Sequence, residues 1–172
     1  GYRDWFAAGA ARLLETLRAA DADAPVWAWG ADHHVRFWSR RMLYETTLHR
    51  ADIDLALGRT PAFETALAID GVDEFLENLP HAVYFAPRVA ELRGTGSLHF
   101  HSTDAEGEWM IQLQPDGFDW EHGHGKGDVA VRAPAADVLL MAYGRLAPTA
   151  GERFQVFGDE ALLAWWLERS AI

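Results

Sequence analysis

Glu45 and His49 are the residues whose types and spacing point most directly to chemistry. They lie four positions apart in a segment with a strongly helical pattern, so both side chains leave the same face of a helix about one turn apart. A carboxylate and an imidazole in that relation can bind one metal ion. The same spacing is typical of an ordinary contact between two helical side chains, and both interpretations stay open.

The pair alone is an incomplete metal site. Zinc in proteins normally takes three or four protein ligands, and this helix offers two. Asp52 lies another turn along the same face, where its carboxylate can orient His49 or accept a hydrogen bond from Arg41. A third ligand has to come from another part of the protein.

Four histidines in the second half of the chain are further candidates. His99 and His101 fall on one face of a predicted strand and could chelate a metal, but the polar face of a half-exposed hairpin explains them better. His122 and His124 lie in a loop rich in glycine and histidine. This loop lacks the residue order of a phosphate-binding loop. For these two reasons, we predict no site from any of the four histidines.

The sequence contains no cysteine. This excludes disulfides, thiolate metal ligands and a cysteine nucleophile. No serine lies in a nucleophile motif of the Gly-x-Ser-x-Gly type either. Any thiol chemistry therefore has to use a thiol brought in from outside the chain.

The composition is that of a globular protein and argues against several partners. Of the 172 residues, 49% are hydrophobic and 12% aromatic, which is enough to build a substantial core. Only 15 lysines and arginines face 26 acidic residues, so we expect no nucleic-acid partner. No apolar run approaches the roughly 20 residues of a membrane-spanning helix, and the first residues do not resemble a signal peptide. We therefore expect a cytoplasmic protein without a membrane partner.

The predicted elements change type part-way along the chain. Apolar residues recur at helical spacing in residues 2–20, in residues 32–57 with Asp32 as the cap, and in residues 69–79. Between residues 94 and 131 the pattern alternates with a period of two and contains turn residues, which predicts strands. The remaining predictions are a hairpin of 97–103 with 108–114, strands at 118–121, 128–132 and 153–157, and helices at 135–146 and 160–169. This order predicts an α+β fold with two parts, residues 1–80 and 81–172.

Several blocks of the sequence carry a resemblance in the same order along nearly the whole chain. The blocks read FWSRRMLYETTLHRADIDLALG, ALAIDGVDEFL, GSLHFHSTDAEGEWMIQLQPDG, ADVLLMAYGRL and FQVFGDEALLAWWL. Together they resemble the mycothiol-dependent maleylpyruvate isomerase family. The resemblance implies that residues 1–80 form part of a DinB-like helical bundle that binds a divalent metal, usually zinc. It implies for residues 81–172 a small α/β domain like sterol carrier protein 2, with a mainly antiparallel sheet.

The resemblance also implies roles for individual residues. The family's two metal ligands on the long helix match Glu45 and His49. The Gly-Arg-Leu segment places Arg145 where an arginine of the second domain would contact an anionic substrate or thiol cofactor. The implied function is a metal-dependent, mycothiol-using enzyme, in which the activated thiol adds to a small electrophilic substrate. The outcome would be cis-trans isomerisation of a maleylpyruvate-type compound or transfer of the thiol.

The chain departs from the family pattern at its start. Family members carry an additional N-terminal helical region that supplies the first histidine ligand, and we expect this chain to begin after it. A missing N-terminal segment or a second chain would then complete the bundle, and Glu45 and His49 should face a gap that the chain does not fill.

Two other functions stay open at this point. The first is a non-catalytic module that binds a small molecule or lipid in an apolar pocket of the sterol-carrier-like part. Its candidate lining residues are Phe100, Trp109, Phe118, Trp120, Trp165 and Trp166. The second is a structural or regulatory protein that has kept the fold and lost the chemistry.

Overall fold

The helical part begins with two long helices. The structure, a computed structural model, describes residues 1–148 and 153–172. Helix α1 spans Tyr2–Ala19 and helix α2 spans Val35–Ala56. The two helices contact each other, but α1 buries none of its residues. Its aromatic residues Tyr2, Trp5 and Phe6 are therefore exposed to solvent.

Helix α3 connects the helical part to the rest of the chain. It spans Thr65–Asn78 and contacts α2 on one side and the later helix α4 on the other. Two short 3₁₀ helices follow, at Leu79–Tyr84 and Pro87–Glu91. Helix α3 therefore connects the helical part of the chain to the part that contains the sheet. The predicted boundary between residues 80 and 81 stays a prediction.

A five-stranded sheet forms the centre of the second part. Its strands lie in the order β3-β2-β1-β4-β5, and of its pairings in the described residues only β1 with β4 is parallel. The predicted α+β class, with a mainly antiparallel sheet, is confirmed, and so is the hairpin of β1 with β2. The elements are β1 Ser97–Ser102, β2 Glu108–Gln114, β3 Gly117–His122, β4 Val129–Ala133, α4 Ala135–Ala142, β5 Gln155–Gly158 and α5 Glu160–Arg169.

The core lies between one face of the sheet and the helices. Alternate residues of β1 and β2 point to opposite faces, and on the inner face Phe100, Trp109 and Ile111 are fully buried. They belong to one cluster with residues of α2, α3, α4 and α5. The opposite face of these strands carries His99, His101 and Glu108, so the sheet separates the apolar core from a polar layer.

Three predicted helix boundaries are wrong, and one of them is the start of α3, which lies at Thr65 rather than at residue 69. The prediction that Asp32 caps α2 fails because the chain is extended through His34, which occupies the N-cap position and pairs with Pro25. The carboxylate of Asp32 instead contacts the side chains of His34 and Arg36. Helix α4 ends at Ala142, four residues earlier than predicted, because Gly144 adopts a left-handed backbone conformation with φ of 71°.

Asp104 fixes the start of α4 and provides a test of the fold. Its carboxylate accepts hydrogen bonds from the backbone N–H of Ala135 and the hydroxyl of Ser102, both at 2.8 Å. The hydrogen bond from the Ala135 N–H is the main reason why the pKa of Asp104 is lowered. The Ser102 hydroxyl lowers it further, and partial desolvation opposes both effects. We expect Asp104→Ala to reduce the free energy of unfolding by about 1 kcal/mol near neutral pH.

This stabilisation depends on pH with a definite sign. Because the pKa of Asp104 is lower in the folded state, its contribution is complete above the unfolded pKa near 4 and is lost as the pH falls through the folded pKa. Urea unfolding at several pH values should show the difference between wild type and variant shrinking only in acid. Glu106→Ala, in the same loop, should stay within about 0.5 kcal/mol of wild type at every pH. An equal loss in both variants would contradict this role of Asp104.

Candidate functional site

A cleft opens where α2 meets the second part of the chain. It has a volume of about 240 Å³. Glu45 and His49 of α2 lie on one side of it, and Tyr143 and Arg145, from the turn after α4, lie on the other. The other lining residues are Trp29, Arg41, Leu48, Phe85 and Ile172. The structure thus brings all three residues predicted from the sequence, Glu45, His49 and Arg145, into one cleft.

The two predicted metal ligands contact each other at the opening of this cleft. His49 Nε2 lies 3.3 Å from Glu45 Oε2. The side chains are 66% and 44% exposed, respectively, so incoming groups can reach both. On the other side of the imidazole, Nδ1 lies 3.0 Å from Asp52 Oδ2. This arrangement matches one of the alternatives read from the sequence, in which Asp52 orients His49.

Arg145 is joined to the same group of residues through Asp52. Its Nε donates to Asp52 Oδ1 at 3.1 Å and its Nη2 to Asp52 Oδ2 at 3.3 Å, while Nη1 donates to the Tyr143 carbonyl. The Arg145 hydrogen bond and, to a smaller extent, that of His49 lower the pKa of Asp52, against partial burial. Asp52 therefore stays ionised and links the second part of the chain to the His49 imidazole.

A buried ion pair lies behind the cleft, because Arg41 and Tyr143 line the cleft and both contact Glu74. Arg41 Nη1 donates to both carboxylate oxygens of Glu74 at 2.6 Å, and the Tyr143 hydroxyl donates to Glu74 Oε2 at the same distance. Burial raises the pKa of Tyr143 well above its usual value, and the Glu74 carboxylate raises it further. Arg41 Nε also lies 3.2 Å from Glu45 Oε1, in an ion pair without hydrogen-bond geometry. The buried network therefore extends to the predicted metal ligand.

A second group of possible ligands lies on the outer face of the sheet. His99, His101, Glu108 and His124 each offer one ligand atom, and these atoms lie within 4.8 Å of one another. Glu108 is central: Oε1 is 2.7 Å from His101 Nδ1, and Oε2 is 3.3 Å from His99 Nε2 and 2.9 Å from His124 Nδ1. The prediction that these histidines form no site overlooked this arrangement. We call these four residues the sheet cluster.

The charges of the sheet cluster are coupled. Burial lowers the pKa of His99, and this effect outweighs the opposing influence of Glu108. Partial burial acts to raise the pKa of Glu108, but His124 and His101 together lower it. His122, which the sequence placed in the loop, is the last residue of β3 opposite Trp109; it lies outside the cluster and contacts Asp73 Oδ2 at 3.2 Å. Of the four histidines for which the sequence predicted no site, three therefore belong to the sheet cluster and His122 does not.

The register of the β1–β2 hairpin is the signal that could have revealed most of this cluster. The hairpin places His101 directly opposite Glu108 and His99 opposite Met110, so both histidines lie on the face of Glu108. His124 joins them through the loop after β3, and its position does not follow from strand periodicity.

Two family models match the chain. One is described as the mycothiol maleylpyruvate isomerase N-terminal domain and matches residues 1–54. The other is described as the MDMPI C-terminal domain and matches residues 66–164, more than half of the chain. The chain belongs to the mycothiol maleylpyruvate isomerase family. The resemblance read from the sequence is thereby confirmed, and membership connects the chain with a mycothiol-related function. The cleft lies between the segments matched by the two models.

Several solved structures of other proteins are similar to part of this chain at low sequence identity. An inverting sec-alkylsulfatase from a Pseudomonas species is 18% identical, with a TM-score of 0.48 over 59% of this chain and 16% of its own length. The sterol carrier protein domain 2 of Helicoverpa armigera is 17% identical, with a TM-score of 0.42 over 60% of this chain and 85% of its own. Sterol carrier protein 2 from Yarrowia lipolytica is 16% identical, with a TM-score of 0.40 over 62% and 91%, respectively. No curated protein matches the chain.

Within residues 1–148 and 153–172, no helix is both long and apolar enough to cross a membrane.

Proposed function

We propose that this chain forms the metal- and thiol-binding part of a mycothiol-using enzyme that acts on a small electrophilic substrate. Glu45 and His49 are two of the metal ligands in this proposal. The observation that carries it is the geometry of His49, whose Nε2 faces Glu45 and whose Nδ1 faces Asp52, at the opening of a cleft between the two family domains.

The separation of the two donor atoms fits one metal ion. Two ligands at roughly 2.0 to 2.1 Å from a tetrahedral zinc ion are about 3.3 Å apart. The distance from His49 Nε2 to Glu45 Oε2 is 3.3 Å. Metal-bound histidines usually donate their other N–H to a carboxylate, which fixes the ring. Asp52 supports the proposal because it provides that carboxylate.

The charges at and behind the cleft favour a cation as well. Arg41 and Arg145 line the cleft and pair with the carboxylates of Glu45, Asp52 and Glu74, and these five groups together carry one net negative charge. A divalent cation would turn this into one net positive charge. Such a site would attract a thiolate and a substrate carboxylate.

A bound metal would supply a Lewis acid that favours the thiolate form of mycothiol. The residues of the chain do the remaining work. Glu45 and His49 hold the ion, and Asp52 keeps the His49 imidazole in the ligating orientation. Arg145 holds Asp52 in place with two N–H groups and donates a third to the Tyr143 carbonyl. Its two remaining N–H groups would contact a carboxylate of the substrate.

The proposed metal site needs a third protein ligand, and the exposed aromatic residues of α1 need a packing partner. The exposed aromatic face of α1 offers a packing surface for additional helices. We propose that a further segment of the polypeptide, or a second chain, packs there and provides the third ligand.

The binding-module alternative is less well supported. Of its six candidate lining residues, Phe100, Trp109 and Trp166 are fully buried in the core cluster. The other three, Phe118, Trp120 and Trp165, pack against that cluster. These side chains therefore contact other core side chains. Phe118 also lines a cavity of about 480 Å³, but its lining includes the charged residues Arg93, Asp116 and Asp119.

The proposal predicts that metal content and turnover depend on α2. The experiment uses the intact polypeptide as it occurs in the cell. Glu45→Ala and His49→Ala should each lose one zinc equivalent by elemental analysis, and mycothiol-dependent turnover of a maleylpyruvate-type substrate should fall at least about 100-fold. Arg145→Gln should keep the zinc and lose turnover. His81→Ala, a histidine variant at an exposed position outside the cleft, should behave as wild type.

Two results would refute the proposal. One is unchanged zinc content in both Glu45→Ala and His49→Ala, which would remove these residues from the ligand set. The other is full mycothiol-dependent turnover after the zinc equivalent has been lost.

A further inference from the structure

The outer face of the sheet carries a second set of residues with metal-ligand chemistry. The sheet cluster contains three imidazoles and one carboxylate, contributed by β1, β2 and the loop after β3. It shares no residue with the cleft, and it lies on the face of β1 and β2 that does not pack against the helices. Its chemistry is therefore independent of the proposed function of α2.

The backbone holds most of this cluster in place before any ion binds. His99 and His101 are two residues apart on β1, and His101 is the direct cross-strand partner of Glu108. His99 is buried, and both Glu108 and His101 are largely buried, so these three side chains have little freedom. A site whose ligands are fixed by strand register needs little reorganisation on binding.

The loop after β3 brings the fourth ligand onto the sheet. Gly125 packs directly against Met110 of β2, since a Cβ atom at residue 125 would lie 2.9 Å from the Met110 sulfur. His124 is thereby placed 2.9 Å from Glu108, although its side chain is 81% exposed. The loop thus completes the cluster from the solvent side.

The type of ligand restricts the metal. Three imidazoles and a carboxylate suit zinc and related transition metals, whereas calcium and magnesium prefer oxygen ligands throughout. Four protein ligands leave no open position on a tetrahedral ion, which is the arrangement of structural zinc sites. The ion would be bonded to β1, to β2 and to the loop at the same time.

We propose that His99, His101, Glu108 and His124 form a structural binding site for a divalent transition metal, zinc by preference, which fastens the histidine-containing loop to the sheet. Binding would replace the contacts between Glu108 and the three imidazoles by bonds to one ion. The loop of residues 123–128 would then be held by its His124 ligand.

Cobalt titration of the metal-free full chain tests this site. The visible spectrum of cobalt reports a tetrahedral nitrogen and oxygen environment, and saturation at one equivalent is expected for the sheet cluster. His124→Ala, at an exposed position, and the double variant His101→Ala/His124→Ala should each weaken binding by more than about 100-fold. In the Glu45→Ala/His49→Ala background, which removes the α2 site, zinc should raise the melting temperature, and adding His101→Ala/His124→Ala should abolish that rise.

Two controls make the result specific. His122→Ala removes the histidine that ends β3, two residues before His124 and outside the cluster, and it should bind cobalt as wild type does. Glu45→Ala/His49→Ala should keep the one cobalt equivalent of the sheet cluster, so a failure of the α2 site is distinguishable from a failure of this one. Wild-type affinity in His101→Ala/His124→Ala, or equal loss in His122→Ala, would overturn the proposal.

Discussion

Glu74→Ala should lower the free energy of unfolding by about 3 to 5 kcal/mol, one of the two largest effects expected in this protein. Glu74 is 1% exposed and accepts hydrogen bonds from Arg41 and Tyr143. Its removal leaves the guanidinium of Arg41, itself 4% exposed, without its main partner. An unpaired buried charge costs far more than the ion pair contributes in net stability, and urea unfolding measures that cost.

Two further variants separate the charge effect from the loss of side-chain volume. Glu77→Ala, one turn along α3, removes a carboxylate that is 44% exposed and pairs with Arg40 on the surface, so about 0 to 1 kcal/mol is expected. Arg41→Met/Glu74→Leu removes both buried charges and should be less destabilised than Glu74→Ala. A cost for Glu74→Ala no greater than for Glu77→Ala would show that Arg41 is not held by Glu74.

Trp109→Ala should have an effect of similar size, again about 3 to 5 kcal/mol. The indole of Trp109 is fully buried between the sheet and the helices, and its Nε1 donates to Asp73 Oδ1 at 2.5 Å. Truncation therefore opens a cavity in the core and removes a bond between β2 and α3. Trp109→Phe keeps much of the apolar contact and loses the hydrogen bond, so we expect a smaller cost of about 1 to 3 kcal/mol.

An exposed tryptophan provides the matched control. Trp27 is 72% exposed and contacts Trp38, so Trp27→Ala should change the unfolding free energy by less than about 1 kcal/mol. Denaturant unfolding of the three variants gives the comparison directly. Equal costs for Trp109→Ala and Trp27→Ala would contradict the assignment of Trp109 to the core.

The parts of the fold that follow from local pattern are predictable from the sequence. Helical spacing gives α2, and the alternation on either side of residues 104–107 gives the β1–β2 hairpin with its register. The parallel pairing of β1 with β4 joins residues about 31 positions apart and has no local signal. The early end of α4 depends on the backbone of Gly144, which the apolar pattern of that segment does not indicate.

The candidate sites show the same division. Glu45 and His49 are visible because both lie on one helix, and Asp52 follows at the next turn. Arg145 reaches them from 93 positions away, through a contact with Asp52 that depends on how the two parts pack. The helical pattern of α2 does not distinguish Arg41, which is buried, from Arg40, which is partly exposed. The sheet cluster depends on the register of the β1–β2 hairpin and on the position of the loop after β3. Only the register can be predicted from the sequence.

The metal site on α2 is the central claim, and anomalous scattering at the zinc edge from crystals of the intact polypeptide tests it most directly. The account predicts a zinc peak about 2.0 to 2.2 Å from both Glu45 and His49 Nε2, with a third ligand visible beside them. A peak at the sheet cluster would show in the same map that zinc was available to the protein. Zinc density there, with none between Glu45 and His49, would contradict the proposed function.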